Sequence, residues 1–135
     1  MHPYQKLLVW QRANALARDI YGTTASWRDQ NLTAQLRRAV TSVPANIVEG
    51  AGSVTQSQFA RYLGFALASA HETHNHIDFA HEVGYLENRD HDRYGAEIVA
   101  IKKMLTALLR TVKQNDASRT LAAKRSTTST RRTPA

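Results

Sequence analysis

The chain has 135 residues, 42% of them hydrophobic, and a formal net charge of +7. This length fits one domain but not two independent cores, and the composition is typical of a soluble globular protein. The absence of cysteine excludes disulfides, thiolate zinc sites and cysteine nucleophiles. No uncharged stretch approaches the roughly 20 residues of a membrane span, and the N-terminus has no signal-peptide pattern, so we expect a cytoplasmic protein.

Apolar residues recur every three to four positions over residues 4–25 and 32–50, which predicts two amphipathic helices. A polar linker at residues 26–31 separates them, and Asn31 or Thr33 is the expected cap of the second helix. The second helix is expected to stop at its terminal glycines, residues 50–52, because glycine is a common helix terminator. Its predicted buried face comprises Leu32, Leu36, Ala39, Val40, Val43 and Ile47.

The same periodicity predicts two further helices in the second half of the chain. Capping-box spacings at residues 53–56 and 55–58 mark the start of the third helix, which is expected to end at Gly84. The fourth helix is predicted from about residue 90 to residue 115. Four amphipathic helices joined by short links predict an all-α fold, an antiparallel up-down-up-down four-helix bundle.

The composition changes near residue 115, and residues 116–135 contain only one large apolar residue, Leu121. Such a segment buries too little apolar area to offset its backbone entropy, which predicts a bundle domain over residues 1–115 and a disordered C-terminal tail. The tail has five basic residues against one acidic residue, so it carries +4 of the net charge and the bundle only +3. A basic tail either contacts nucleic acid through phosphates or serves as a solubilising terminus.

The second helix contains a proline in its interior and a polar stripe. Pro44 removes a backbone hydrogen bond and clashes with the carbonyl four residues earlier, which predicts a kinked helix. Arg38, Ser42, Asn46 and Glu49 follow one another at steps of four, four and three, and therefore share one face. Polar groups beside an apolar face need solvent or partners. The stripe is therefore either an ordinary solvated face or one matched by another helix or another subunit.

The run over residues 32–50, LTAQLRRAVTSVPANIVEG, closely resembles the signature of the 23S rRNA intervening sequence proteins, a family also called four helix bundle proteins. The segment LLVWQ at residues 7–11 resembles the first helix of this family. Ser69 and Glu72, followed by the GYL at residues 84–86, resemble its third helix. The similarity covers about residues 4–115. This chain departs from the family where Ala-Ser-Ala-His precedes Glu72, a position at which the family usually has Gly-Ser-Leu.

The resemblance implies a small bacterial bundle with no established enzymatic activity and no cofactor. Members can assemble as closed rings, and pentamers are seen in the family. Relatives act as accessory proteins of diversity-generating retroelements, where a basic ring is credited with binding nucleic acid and reverse transcriptase. It therefore implies a homo-oligomer with RNA or DNA as the candidate partner, and neither a membrane nor a small-molecule substrate. The alternative is a protein–protein assembly or adaptor module with no nucleic-acid ligand.

The resemblance also directs attention to a polar network that serves structure or an interface. Its candidate members are Arg37, Arg38, Ser42, Pro44, Asn46, Glu49, Ser69 and Glu72. Arginine–carboxylate pairs suit such a network because a guanidinium group satisfies both carboxylate oxygens at once. Two arrangements stay open: a network between the second and third helices, or one across a subunit interface.

Basic residues supply a candidate nucleic-acid surface on the helices and the tail. These residues are Arg61, Lys102, Lys103, Arg110, Lys113, Lys124, Arg125, Arg131 and Arg132. In a ring each basic edge would repeat around the symmetry axis, and a modest patch would become a continuous positive surface. The plain alternative is a solvated helix whose basic end complements its own dipole.

A group of histidines and carboxylates lies on the third helix, where His71, His74, Asp78 and His81 share a face at steps of three, four and three. These residue types bind divalent transition metals. A second Glu-x-x-His unit, as di-iron bundles require, is missing, so these are weak candidates and we expect no metal site. No glycine-rich phosphate loop, nucleophile elbow or Rossmann fingerprint occurs either, and we expect no catalytic residues.

Overall fold

The computed structural model describes residues 2–131, with side chains described for residues 2–126. A short 3-10 turn at Tyr4–Lys6 precedes four α-helices. Helix α1 spans Leu8–Thr24, α2 spans Gln30–Ala51, α3 spans Gln56–Glu82 and α4 spans Asn88–Arg131. The described residues contain no strand. The predicted all-α fold with four helices is therefore confirmed.

Side-chain caps define where α2 and α3 begin. The carboxylate of Asp29 accepts a hydrogen bond from the backbone N–H of Leu32 at 2.9 Å, so Asp29 caps α2. The prediction of Asn31 or Thr33 for this role was wrong, because the linker stays extended only as far as Asp29. Thr55 caps α3 by accepting from Gln58 at 3.1 Å, as one of the two capping-box spacings predicted.

Each helix packs against the two helices next to it in the bundle. The most extensive contacts are between α2 and α3 and between α3 and α4, and α1 packs against both α2 and α4. Helices α3 and α4 run antiparallel, since His74 contacts Lys102 whereas Asp78, one turn later, contacts His91. Helices α1 and α4 are joined by an ion pair of Arg12 with Glu97. The up-down order of all four helices stays a prediction.

The core consists of the apolar stripes that the periodicity predicted. Its largest fully buried apolar side chains are Ile20, Leu36, Val40, Val43, Ile47, Leu63, Ile77, Ile98, Ile101 and Leu105. Full burial of one such side chain stabilises the fold by roughly 1.5–3 kcal/mol relative to leaving it exposed. The core is therefore continuous across all four helices and supports the surfaces described below.

Gly50 permits α2 and α3 to approach each other closely. A Cβ atom at this position would lie 2.9 Å from Cδ1 of Phe59 and 3.1 Å from Cβ of Tyr62. The glycines at residues 50–52 were predicted to terminate α2, and the helix does end there, with Ala51 as its last residue and Gly52 as its C-cap, whereas Gly50 itself lies inside the helix. Gly50 is therefore required by interhelical packing, a constraint that helix-end patterns do not reveal.

Pro44 lies buried inside α2, which runs without interruption through it. Next to it, the hydroxyls of Thr41 and Ser42 donate to the carbonyls of Arg37 and Arg38 at 2.7 and 2.8 Å. Such bonds to the preceding turn often accompany helix bending. The proline does not split the helix, and the kink expected at this position stays a prediction.

Helix α4 is longer than expected. Residues 116–131, assigned to a disordered tail from the sequence, continue α4 in the structure, whereas residues 132–135 lie outside the described residues. Residues 117–126 are all exposed, so this extension adds nothing to the core. The low apolar content argued against packing, but it did not argue against helix: alanine, leucine, lysine and arginine are good helix formers, and elongation from an existing helix needs no new nucleus.

None of the helices in the described part of the chain combines the length and the apolar composition that spanning a bilayer requires.

Candidate functional site

The polar stripe of α2 (Arg38, Ser42, Asn46 and Glu49) does not form a network within one chain. Ser42 donates its hydroxyl to the carbonyl of Arg38, and the Asn46 amide donates to the carbonyl of Ser42, both at 2.8 Å. Arg38 and Glu49 are exposed, and neither makes an ion pair within the described part of the chain. The two central residues are therefore satisfied by their own helix, while the side chains of the two charged residues have no polar partner among the described residues.

Arg37 has a different role from its neighbour Arg38. Its Nε donates to the hydroxyl of Thr24 at 2.9 Å, and its Nη2 donates to the carbonyl of Tyr21 at 3.1 Å. The guanidinium carbon lies 4.2 Å from the centroid of the Tyr21 ring. The predicted carboxylate partner is replaced by the C-terminal end of α1, where a cation is favourable for the helix dipole. Arg37 therefore ties α1 to α2.

Ser69 and Glu72 of α3 do not meet the polar stripe of α2. The carbonyl of Ser69 accepts from the hydroxyl of Thr73 at 2.8 Å. Glu72 is exposed, and its Oε1 lies 3.5 Å from Nε2 of His76. That imidazole nitrogen is buried and has no hydrogen-bond partner among the described residues. The geometry of the 3.5 Å contact is not that of a hydrogen bond, and it is an ion pair only when His76 carries a second proton.

The predicted basic edge of α4 forms one side of a groove. The α3–α4 groove has a volume of about 360 Å³ and is lined by Leu67, His71, Val99, Lys102, Lys103, Thr106, Ala107 and Arg110. Three of these residues, Lys102, Lys103 and Arg110, are basic, and none of the lining residues is Asp or Glu. The groove thus combines a partly apolar floor with a positive rim, an arrangement that favours an anionic ligand over a cationic one.

Lys102 is held at the groove by α3. Its Nζ lies 2.8 Å from Nδ1 of His74, and Nε2 of that histidine lies 3.7 Å from the carboxylate of Asp78. Because lysine has only donors, the contact requires His74 Nδ1 to act as the acceptor. One of the groove cations is therefore positioned before any ligand arrives.

The remaining predicted basic residues lie outside the groove. Arg61 is exposed, with its guanidinium 5.5 Å from the ring centroid of Phe65. Lys113, Lys124 and Arg125 are exposed along α4 beyond the groove. The side chain of Arg131, and Arg132 as a whole, lie outside the described residues.

The histidine cluster is larger than the sequence indicated, because α4 contributes His91. Its Nε2 lies 2.9 Å from Oδ1 of Asp78, and its ring stacks on that of His81 with centroids 3.9 Å apart and planes 6° from parallel. Nε2 of His81 lies 2.7 Å from the amide oxygen of Asn88. The spacing of residues along α3 contains no signal for a partner on another helix, and His71 lies apart in the groove.

Within residues 2–131 no three His, Asp or Glu side chains are grouped so that they could hold a metal ion. Asp78 bonds His91, and the face-to-face stacking of His81 and His91 does not direct their nitrogen lone pairs to one point. The weak candidates His71, His74, Asp78 and His81 therefore share no coordination point.

The structure shows an exposed apolar surface on α3 that the sequence analysis did not identify. Phe65 and Phe79 are 44% and 50% exposed, and Val83 is similarly exposed. Tyr62 meets Phe65 edge to face, with ring centroids 5.8 Å apart. The signal was present in the sequence: Phe65, Glu72 and Phe79 recur every seven residues, which places them in line on one face, away from the core. We call Tyr62, Phe65, Phe79 and Val83 the α3 aromatic face.

Together these features define a small four-helix bundle protein with a positive groove and an exposed aromatic face. Residues 5–107 match the model of a protein family described as 23S rRNA-intervening sequence protein. The match spans more than half of the chain, and this protein therefore belongs to the 23S rRNA-intervening sequence protein family. The resemblance recognised in the sequence is thus confirmed. The matched region ends inside α4, before its exposed extension.

Among solved structures, the chain is similar to a protein of unknown function from the S23 ribosomal protein family of Bacteroides thetaiotaomicron. The two share 22% sequence identity with a TM-score of 0.72, over 76% of this chain and 98% of the other. At this identity the likeness shows a shared fold alone. No curated protein matches the chain. Neither the family description nor the structural neighbour indicates a catalytic activity.

Proposed function

We propose that this protein is a non-enzymatic, self-associating helical bundle that binds RNA or DNA weakly through the phosphate backbone. The observation that carries the proposal is the α3–α4 groove, where Lys102, Lys103 and Arg110 converge with His71 and no carboxylate lines the surface. Lysine and arginine bind phosphates chiefly through charge, with little dependence on base sequence. The family description, which refers to a 23S rRNA intervening sequence, is consistent with an RNA partner.

The positive surface extends beyond the groove along α4. Lys103, Arg110, Lys113 and Lys124 are separated by seven, three and eleven residues, and these spacings keep them on one side of a straight α-helix. The side chains of all four are exposed. A nucleic-acid backbone lying along this side of α4 would meet a series of cations, which supports binding without a preference for particular bases.

Self-association is proposed through the α2–α3 side of the bundle. The α3 aromatic face exposes two small apolar groups, Tyr62 with Phe65 and Phe79 with Val83, on either side of Glu72. Exposed apolar groups of this kind are candidates for contact with a partner. Among the described residues, the side chains of Arg38 and Glu49 have no polar partner, and the buried Nε2 of His76 has no hydrogen bond. A second copy would cover the aromatic rings and supply these partners. A closed ring, such as the pentamer that the family resemblance implies, would repeat the groove around its axis.

A second candidate function is that of a protein–protein adaptor. The floor of the groove favours it, since Leu67, Val99 and Ala107 are apolar and suit the apolar face of a helix from another protein. The cationic rim would then select a partner helix with acidic flanks. Binding to RNA separates the two candidates, because a groove that accepts the apolar face and acidic flanks of a protein helix is not expected to bind a nucleic-acid backbone.

The test is a fluorescence-anisotropy titration of labelled single-stranded RNA from about 50 to 200 mM salt. We expect log affinity to fall linearly with log salt, with a slope of about −0.7 for each phosphate neutralised. The double variant Lys103→Ala/Arg110→Ala should weaken binding and reduce the slope. The control Arg18→Ala/Arg28→Ala removes the same charge from exposed positions outside the groove. Affinity that does not change with salt, or equal losses in both double variants, would contradict the proposal.

A further inference from the structure

Helix α4 is much longer than the helices it packs against. It has 44 residues and α3 has 27, which corresponds to lengths of about 66 Å and about 40 Å. Val112 is the last buried residue of α4 among those described, and residues 117–126 are all exposed. We call residues 116–131 the α4 extension. It lies beyond the region that matches the family, which ends at residue 107, and it adds nothing to the core.

The base of the α4 extension lies against the connection between α2 and α3. Asn115, Ser118 and Arg119 line one pocket of about 510 Å³ together with Ser53 and Thr55 of that connection. The direction in which the helix leaves the bundle is therefore set at its first turn. The residues that follow are exposed on all sides of the helix, so a partner can surround them without meeting the bundle.

The composition of this C-terminal segment suits a polyanion. Residues 117–135 contain no Asp or Glu, and they include five basic residues and eight serines or threonines. Lysine and arginine neutralise phosphates, and hydroxyl groups donate hydrogen bonds to phosphate oxygens. Asp116 is the one acid of the segment and lies at its start. The segment is therefore complementary to a nucleic-acid backbone along its whole length.

The helical form of the extension selects the kind of nucleic acid. An α-helix with its side chains is about 10–12 Å across, and the major groove of B-form DNA is about 12 Å wide and 8.5 Å deep. The major groove of A-form RNA is too deep and narrow for side chains to read. We propose that the α4 extension lies in the major groove of duplex DNA. This inference rests on the proposed nucleic-acid binding and names duplex DNA as its ligand.

The side chains around the extension are arranged as such a groove requires. At 100° per residue, Lys113 and Lys124 fall within about 20° of each other, and Arg125 lies about 100° further round the helix. Ala117 and Leu121 lie between these two lines of cations, and both are exposed. Cations on the two flanks would meet the phosphates of the two strands. The small and apolar residues between them would face the base edges, where alanine and other apolar groups contact the thymine methyl.

The test compares DNA and RNA duplexes of one sequence and about 20 base pairs, or two helical turns, by fluorescence anisotropy with the full chain. We expect the DNA duplex to bind about tenfold tighter than the RNA duplex. Ala122→Pro should remove this preference, because proline interrupts the extension by removing its bond to the carbonyl of Ser118 while the charge stays the same. Ala122→Ser, at the same exposed position, is the control and should keep the preference.

A chemical footprint locates the bound helix. Dimethyl sulfate methylates N7 of guanine, which faces the major groove. The full chain should protect guanines of the DNA duplex from this reagent, and Ala122→Pro should not. The thermal midpoint of Ala122→Pro should equal that of the wild type, since position 122 is exposed and lies outside the core.

Equal affinity for the two duplexes, a DNA preference that survives Ala122→Pro, or unprotected guanines would each overturn the inference. The proposed function of the α3–α4 groove stands in those cases if single-stranded RNA still binds in a salt-dependent manner. Loss of binding to every nucleic acid would contradict both. The comparison of the two duplexes uses the unmodified chain, so it decides the question even if the proline variant fails to fold.

Discussion

Arg37 of α2 donates a hydrogen bond from Nε to the buried hydroxyl of Thr24 at the end of α1, with a separation of 2.9 Å. The side chain of the next residue, Arg38, is exposed and makes no hydrogen bond or ion pair in the described part of the chain. Two adjacent arginines of one family signature therefore have different tasks. One joins two helices within a subunit, and the other is available to a partner.

Replacement of each of these two arginines should show which of them stabilises the folded subunit. We expect Arg37→Ala to lower the free energy of unfolding by about 1–2 kcal/mol, because it removes the hydrogen bond to buried Thr24 and leaves that hydroxyl and the Tyr21 carbonyl with fewer donors. Arg38→Ala should change the free energy of unfolding little, because the Arg38 side chain is exposed and makes no hydrogen bond or ion pair among the described residues. Urea denaturation at low protein concentration measures both. Equal midpoints for the two variants would contradict the assignment.

The close approach of α2 and α3 at Gly50 leads to a second prediction. Gly50→Ala should destabilise the protein by about 1–3 kcal/mol, because the new Cβ would lie 2.9 Å from the Phe59 ring and 3.1 Å from Tyr62. Gly64→Ala in α3 is the matched control, since nothing lies within 4 Å of a Cβ there. That change should stabilise the helix by about 0.5–1 kcal/mol. Thermal denaturation of the two variants should give shifts of opposite sign, and shifts of the same sign would show that Gly50 is not a packing constraint.

The proposed interface is tested through the α3 aromatic face. Phe65→Ser/Phe79→Ser should lower the oligomer mass measured by native mass spectrometry, because the apolar area that a second copy covers is lost. Leu8→Ser changes an exposed apolar residue on α1 and serves as the control. An unchanged mass in the double variant would exclude this face as the subunit interface, and a monomeric wild-type protein would exclude self-association.

Removal of residues 116–135 should show what the exposed extension of α4 contributes to RNA binding and to stability. Affinity for RNA should fall, because the segment carries +4 of the net charge. The thermal midpoint should change little, since residues 117–126 are exposed and contribute nothing to the core. Anisotropy titration and a melting curve on the same sample measure both effects. An unchanged affinity would show that only the groove binds, whereas a large loss of stability would show that the extension packs against the bundle.

The existence and approximate bounds of the helices were predictable because helix formation depends on spacing along the chain. A period of 3.6 residues marks the stripes that became the core, and Thr55 caps α3 at a predicted position. The cap of α2 was misplaced by two residues or more, since several polar residues in that linker have capping chemistry. The C-terminal extension escaped prediction for a related reason: helix can propagate without burying any apolar surface.

The residues of the candidate sites were also predictable where they share one helix and not where they lie on different helices. From the sequence alone one obtains the four helices, their buried faces, the family, and the basic residues that line one edge of α4. Only the tertiary structure shows that His91 joins Asp78 and that Arg37, not Arg38, ties α1 to α2. The reason is physical: residues on one helix are related by a fixed rotation and rise, whereas residues on different helices meet according to the register and rotation that core packing selects.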